Sequence, residues 1–176
     1  MPNWCDNTVT LSHEDTEKVD ALERVLVAND EYDGKDSENA PIGIFSHLRP
    51  RPADEDENWY GWNIDHWGCK WDATPNTWDR DGDVITINFD TAWSPPTELY
   101  EYLVANDWDV TAYYYEPGMA FCGSYDNGVD SYYEIDYNDE NWRDNVDEDV
   151  IDHWGLEYEY ENWKEWNEEE EVETDD

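Results

Sequence analysis

Positive charge is the scarcest property of this sequence. It has nine Lys and Arg residues against 48 Asp and Glu residues, which gives a formal net charge of −39. Direct binding to nucleic acid needs a basic surface, and so does attraction to an anionic membrane. The composition therefore argues against both as direct partners and favours a partner that is itself basic.

Cysteine is also scarce, and long apolar runs are absent. Cys5, Cys69 and Cys122 are odd in number and far apart, which fits reduced thiols inside a cell better than a disulfide framework. No segment reaches the roughly 20 apolar residues of a membrane span. The first residues lack the basic start and apolar run of a signal peptide. We therefore expect an intracellular protein without a membrane anchor.

Phenylalanine and methionine number only three and two, whereas the chain has twelve Trp and thirteen Tyr residues. Acidic composition is typical of disorder, but this aromatic content favours a folded core over most of the 176 residues. Residues 30–39 are expected to form a flexible acidic loop. Residues 167–176 are expected to form a solvated acidic tail, since residues 168–171 are four Glu in a row.

The position of the negative charge matters more than its amount. A globule of this size exposes roughly 9,000 Å², or about 230 Å² for each net charge if the charge is evenly spread. B-DNA carries about one charge per 110 Å² on a cylinder of roughly 10 Å radius. Charge concentrated on half of the surface would match DNA, whereas an even spread fits adaptation to molar salt. The shortage of lysine suits the second explanation.

The periodicity of the apolar residues predicts an α+β fold. Alternation predicts strands over residues 7–11, 65–72, 84–89, 109–115, 119–125 and 131–137. Helical spacing predicts one helix that ends near Asn29, with Ser12 or Asp15 as its N-cap, and a second over residues 97–106, with Ser94 as its N-cap. This order predicts a ferredoxin-like antiparallel sheet with helices on one face and extra strands.

The chain after residue 137 departs from this pattern. Val146, Val150, Ile151 and Trp154 recur at helical spacing, and further Tyr and Trp residues follow. We therefore divide the chain into a ferredoxin-like domain (1–137), an acidic, aromatic C-terminal appendage (138–166) and the acidic tail (167–176). The appendage is expected to be helical and to pack its aromatic side chains onto the domain or onto a partner.

The most unusual stretch of the chain is residues 66–72, which hold two Trp residues, a Gly, a Cys and a Lys. In a strand, Trp67 and Trp71 would share one face, and Lys70 would point to the other. Lys70 would then pair with a carboxylate such as Asp72 or Glu116. This arrangement predicts a structural ion pair rather than a catalytic lysine.

Three groups of residues could bind a metal ion or act in catalysis, and a structural role is the simpler explanation for each. Residues 79–83 could be a calcium loop, but Gly82 is one place early for that loop and residue 88 is Asn, so a β-hairpin is favoured. Cys5, His66, Cys69 and Cys122 could bind zinc, but the set lacks a second close pair, so core cysteines are favoured. Ser94 lacks the frame of a nucleophile elbow. We predict no catalytic residue, metal or cofactor.

Several motifs, taken in order, resemble the YubB-type ferredoxin-like family of phages and plasmids. They are residues 1–7 (MPNWCDN), 67–72 (WGCKWD), 89–96 (FDTAWSPP), 115–118 (YEPG) and 121–123 (FCG). The family usually has Thr at the position of Cys69, and neither the acidic load nor the chain after residue 138 belongs to its pattern. The resemblance implies an accessory protein of a mobile element, without catalytic residues that could be transferred. Its structural motif residues here are Trp4, Trp67, Lys70, Trp71, Asp72, Trp93 and Glu116.

Two hypotheses about function follow, and neither is an enzyme. The first is a phage or plasmid accessory protein that binds and blocks a basic, nucleic-acid-binding defence protein in the host cytoplasm by DNA mimicry. Its candidate contacts are Asp126, Asp130, Asp136, Asp139, Glu140, Asp144, Asp147, Glu148 and Asp149, with Trp142 and Trp154 as anchors. The second is a structural or virion-associated protein of a virus with a halophilic host, in which the charge serves salt adaptation. An enzyme comes third.

Overall fold

A six-stranded antiparallel sheet forms the scaffold of the molecule. The computed structural model describes the backbone of residues 2–174 and the side chains of residues 2–166. The strands are β1 (Trp4–Ser12), β2 (Thr77–Asp81), β3 (Val84–Ala92), β4 (Asp109–Glu116), β5 (Phe121–Asp126) and β6 (Val129–Glu134). Their order across the sheet is β2-β3-β1-β4-β5-β6, and every neighbouring pair is antiparallel.

Six α-helices accompany the sheet in the described part of the chain. They are α1 (Thr16–Glu31), α2 (Ile44–Leu48), α3 (Trp59–Trp67), α4 (Thr97–Ala105), α5 (Glu148–Trp154) and α6 (Leu156–Thr174). Short 3₁₀ turns occupy Ser37–Asn39, Ala53–Asn58 and Trp142–Asn145. In the part of the chain that is described, no helix combines the length and the apolar composition needed to cross a membrane.

The first four strands confirm the predicted α+β fold. β1 lies between β3 and β4, and β2 pairs with β3, which is the strand order of a βαββαβ unit. The hairpin of β5 and β6 adds two strands beside β4. The hairpin favoured for residues 79–83 is confirmed, and Gly82 at its tip has a positive φ of 61°. Gly128, at the tip of the β5–β6 hairpin, has a positive φ of 100°.

One face of the sheet carries the main core. Alternate residues of β1 and β3, such as Leu11 and Ile85, point to this face and are buried beneath α1 and α4. α1 begins where the sequence predicted, because the side chain of Asp15 accepts a hydrogen bond from the backbone N–H of Glu17 (3.1 Å). Val19, Leu22 and Leu26 of α1 are completely buried.

The prediction of a strand over residues 65–72 is wrong, because this segment contains the end of α3 and a turn. Trp62 and His66 lie one helical turn apart and stack at 4.2 Å between ring centroids. The helix ends at Gly68, whose φ of 86° is left-handed. A Cβ atom at Gly68 would collide with the carboxylate of Glu98, so both the turn and the packing require glycine. The many aromatic residues of this segment hid the helical period.

The predicted C-terminal helical appendage is confirmed, and it packs onto the domain, which is one of the two packing arrangements that the sequence left open. The appendage packs α5 and α6 against the second face, over β4, β5 and β6. Its cluster joins Cys122 and Tyr115 of the sheet to Val150 and Leu156 of the appendage. α6 runs without a break across the boundary that we placed between residues 166 and 167. Residues 175 and 176 of the predicted tail lie outside the described residues.

Candidate functional site

The motif around Trp67 and Asp72 has a structural role in the folded protein. Trp67 is buried and donates from its indole Nε1 to the carbonyl oxygen of Arg49 (3.0 Å). Asp72 accepts hydrogen bonds from the backbone N–H groups of Phe45 (2.8 Å) and Ser46 (3.1 Å), so its carboxylate caps the first turn of α2. These two side chains hold α2 and α3 in place around the main core.

The ion pair predicted for Lys70 is not formed with either suggested carboxylate. Asp72 caps α2, and buried Glu116 accepts from the backbone N–H groups of Gly118 and Met119 (both 2.7 Å). The Lys70 Nζ atom instead lies 4.5 Å from the ring centroid of Trp71. The prediction failed because residues 66–72 are not a strand, so the alternation on which it rested does not apply.

Three exposed indoles, those of Trp4, Trp71 and Trp93, lie at one end of the sheet. Trp4 and Trp71 lie 6.2 Å apart between ring centroids. Trp93, with a positive φ of 72°, donates its backbone N–H to the carbonyl of Asn3 and exposes about half of its side chain. Ser94 donates its hydroxyl to the carbonyl of Gly68 (2.8 Å) and does not cap α4, so that prediction is wrong.

The three cysteines are core residues, as predicted. Cys5, Cys69 and Cys122 are buried, and each belongs to a different hydrophobic cluster. Burial raises the pKa of the thiols of Cys69 and Cys122 to about 12 and that of Cys5 still further above its usual value. They therefore do not form a shared zinc site. No cluster of His, Cys, Asp and Glu suited to a metal ion occurs among the residues described.

The nine carboxylates predicted to contact a partner are all exposed, and they surround the edge strand β6. Asp126 precedes β6, Asp130 lies in it, and Asp136 follows it, while the other six lie in the appendage: Asp139, Glu140, Asp144, Asp147, Glu148 and Asp149. Asp130 accepts a hydrogen bond from the hydroxyl of Tyr114 (2.8 Å) on the main-core face. Together they wrap around the edge of the sheet and do not form one flat row.

The two predicted anchors are not free indoles. Trp142 is 1% exposed in the core of the appendage and packs against Tyr137 at 5.2 Å between ring centroids, so its prediction as a partner contact is wrong. Trp154 is half-buried against Tyr115. The helical spacing that suggested an apolar face was correct, but the second face of the sheet covers it.

The sequence reasoning missed an acidic cleft at one end of the sheet. It has a volume of about 1080 Å³, and three turns that meet there contribute five carboxylates. The β1–α1 turn supplies Glu14 and Asp15, the β2–β3 turn supplies Asp83, and the turn after α4 supplies Asp107 and Asp109. The lining includes no Lys or Arg side chain. The predicted strand order places these turns together and could have revealed the cleft.

Asn127 joins the acidic cleft to the carboxylates around β6. Its side-chain amide donates to Asp109 (2.8 Å) and Asp126 (3.1 Å), and its side-chain oxygen accepts from the backbone N–H of Val110 (2.8 Å). Asp109 lines the cleft, and Asp126 begins the β6 group. The two acidic regions therefore form one continuous surface, which we name the acidic band.

On the second face of the sheet, the appendage reaches β1 through His153 of α5, whose Nε2 lies 3.0 Å from the hydroxyl of Thr8, and the hydrophobic cluster of the appendage includes no described residue of β2 or β3. Short polar side chains cross this face in a hydrogen-bonded row, in which Thr8 donates to Asn88 (2.8 Å) and Asn88 donates to Thr77 (2.9 Å). At one end of this face, Asp6 and Asp90 are paired across the two strands. Burial, together with hydrogen bonding and repulsion from Asp90, raises the pKa of Asp6 to about 6.

The comparisons with known proteins identify no family for this chain. No family model and no curated protein matches the chain. Among solved structures, it is similar to the crystal structure of a protein api92 from Yersinia pseudotuberculosis, described as DUF1281. That match has 12% identity and a TM-score of 0.45, and it covers 77% of this chain and 99% of the other. Since no family follows from these comparisons, the assignment of the fold depends on the strand order of this chain.

Proposed function

We propose that this protein is a non-enzymatic accessory protein that occupies the nucleic-acid-binding groove of a basic host protein. The observation that carries the proposal is the acidic band, where exposed carboxylates run from the cleft to the edge strand β6. Arg143 is the one Lys or Arg between residues 126 and 150, and its guanidinium is paired with Glu157 (2.7 Å). The charge of the band is therefore available to a basic partner.

The shape of the acidic band suits a partner protein whose binding groove normally holds a bent or grooved polyanion such as DNA. The carboxylates project from turns, from Asp130 on the main-core face of β6, and from the appendage on the second face, so they present charge around the edge of the sheet. Complementary potentials steer association and make the association rate sensitive to salt. The resemblance to the YubB-type family, which is itself a proposal, would place the protein on a phage or plasmid.

A competition experiment tests the proposal. Bacterial DNA-binding proteins are retained on immobilised duplex DNA in 0.15 M KCl, and this protein is applied at micromolar concentration. We expect selective elution of one or a few basic proteins. Poly-glutamate, applied at the same concentration of negative charge, separates a fitted surface from a simple polyanion. Elution of nothing, or the same elution by both, would reject DNA mimicry.

Matched charge reversals locate the interface. Replacement of Asp144, Asp147 and Asp149 by Lys is expected to weaken the competition at least tenfold, because three close charge pairs would become repulsive. The control reverses Glu31, Glu38 and Glu57, which are exposed and lie outside the band. Equal loss in both triple variants would show that only the total charge matters.

A second candidate function is structural, with the acidic surface serving salt adaptation. One observation favours it: exposed carboxylates also occur on α1, on the 3₁₀ turn at 53–58 and on β2. The surface of 10808 Å² carries about one net charge per 280 Å², less than half the density of about one per 110 Å² on DNA. Under this alternative the protein would be a structural or virion-associated protein of a virus with a halophilic host. The competition experiment would then show no selectivity.

A further inference from the structure

We propose that a pocket between the end of β4 and α6 binds the cationic side chain of an arginine or lysine residue of a partner protein. The pocket has a volume of about 520 Å³, which lies in the range of roughly 300–1,000 Å³ that is usual for ligand sites. It lies beside the acidic band, and Asp136 belongs to both. The two features therefore present themselves to the same partner.

Aromatic side chains form the walls of this pocket. Tyr115, Tyr137, Trp163 and Trp166 line it, and the rings of Tyr137 and Trp163 lie 6.0 Å apart at 49°. Trp166 remains 74% exposed at the mouth. Tilted aromatic walls around a cavity attract a cation through the negative faces of the rings, and they also cover the apolar stem of a long side chain.

The charges of the pocket select for a cation. Asp136 and Glu159 line it, and the lining includes no Lys or Arg. Burial is the main cause that raises the pKa of Tyr137 to about 12, and the negative charge of Glu159 adds to the effect. The phenol therefore stays neutral at physiological pH. A ligand that enters meets aromatic faces and two carboxylates, which is the chemistry that binds guanidinium and ammonium groups.

The appendage already binds its own cations in this manner. The guanidinium of Arg143 lies 5.0 Å from the ring centroid of Trp142 and 5.3 Å from that of Tyr160. The Nζ atom of Lys164 lies 4.4 Å from the ring centroid of Tyr160. Both residues are outside the lining of the pocket. The same type of contact is therefore available to a cation from outside.

The inference depends on the proposed function only in assigning the bound Arg or Lys side chain to a partner protein. Binding of a cation to the pocket itself can therefore be tested with short peptides. Acetylated pentapeptides with a central Arg, Lys or citrulline between Gly and Ser residues are titrated into the ¹⁵N-labelled protein in 0.15 M KCl. The indole N–H signals of Trp163 and Trp166, assigned by Trp→Phe variants, report binding. We expect the Arg or the Lys peptide to bind at least tenfold more tightly than the neutral citrulline peptide.

Matched variants separate the pocket from general attraction to an acidic protein. Trp166→Ala and Glu159→Gln are expected to weaken binding of the cationic peptide about fivefold. Tyr158→Ala and Glu161→Gln change exposed residues of the same helix that do not line the pocket, and less than a twofold effect is expected. Equal binding of citrulline, or equal losses in Glu159→Gln and Glu161→Gln, would overturn the proposal. The competition for DNA-binding proteins can succeed or fail independently of this result.

Discussion

At the scale of single residues, the pair of Asp6 and Asp90 makes the clearest prediction. The pKa of Asp6 is raised from 3.8 to about 6, so the folded state holds a proton that the unfolded state has already released. Stability therefore falls as the pH rises from about 4 to about 6 and stays lower above that range. Asp6→Asn is expected to remove this loss and to raise the unfolding midpoint at pH 7.

Denaturant unfolding of the wild type and the variant at pH 4, 5, 6 and 7 measures this effect. Because any lost negative charge relieves repulsion in this protein, Asp79→Asn on the same face serves as the control. The gain in Asp6→Asn should grow with pH and exceed that of the control at pH 7. The same gain at every pH, or a gain no larger than the control, would contradict the assigned pKa.

Alanine substitutions at two glycines distinguish the cost of backbone strain from the cost of a steric clash. Gly68 and Gly128 both have positive φ, but a Cβ atom at Gly68 would collide with Glu98, whereas one at Gly128 meets open space. Gly128→Ala is therefore expected to cost about 1–2 kcal/mol from strain alone. Gly68→Ala should cost clearly more in chemical denaturation. Equal losses would mean that Glu98 moves away freely.

At the scale of elements, the strands were easier to predict than the helices. Alternating apolar residues identified β1, β3, β4 and the β5–β6 hairpin, since one face of each packs on a core. α3 was missed because its aromatic residues are so closely spaced that they match both the helical period of about 3.6 residues and the strand period of about two. The helix caps were only partly predictable: Asp15 lies next to its helix, whereas Asp72 caps α2 from 27 residues away. No local pattern can reveal such a partner.

Because the appendage packs on the sheet, it is expected to unfold together with the sheet as one cooperative unit. Leu156 is completely buried at the start of α6, within the cluster that includes Cys122 of β5. Leu156→Ala is expected to destabilise the whole protein by about 2–4 kcal/mol, with circular dichroism and fluorescence reporting one transition. Tyr158→Ala, which changes a residue that is 71% exposed, should cost less than about 0.5 kcal/mol. Two separate transitions would contradict this packing.

At the scale of the whole molecule, the charge predicts a strong response to salt. Like charges on the folded protein repel each other, and raising KCl from 0.1 M to 1 M shortens the Debye length from about 10 Å to about 3 Å. We expect a protein that is folded at 0.1 M KCl and whose unfolding temperature rises by several degrees before levelling off. A chain that is unfolded at 0.1 M and folds only in molar salt would favour salt adaptation over DNA mimicry.

The acidic band could be predicted only in part from the sequence. The sequence already contained the amount of charge and the cluster of carboxylates after residue 125. The acidic cleft depends on three turns far apart in the chain, so it emerges only from the strand order. Trp142 was assigned to a partner interface because the sequence left open whether the aromatic side chains of the appendage pack onto the domain or onto a partner, and in the structure Trp142 packs onto the domain.

The two outer strands of the sheet have a further consequence for the protein at high concentration. β2 contains Asp79 and Asp81, and β6 contains Asp130 and Glu134, so each open row of backbone hydrogen-bonding groups is flanked by negative charge. Edge strands guarded by charge resist pairing with the edge of another molecule. That protection is electrostatic and weakens as salt rises. High salt is therefore expected both to stabilise the folded chain and to allow sheets of different molecules to join edge to edge into larger assemblies.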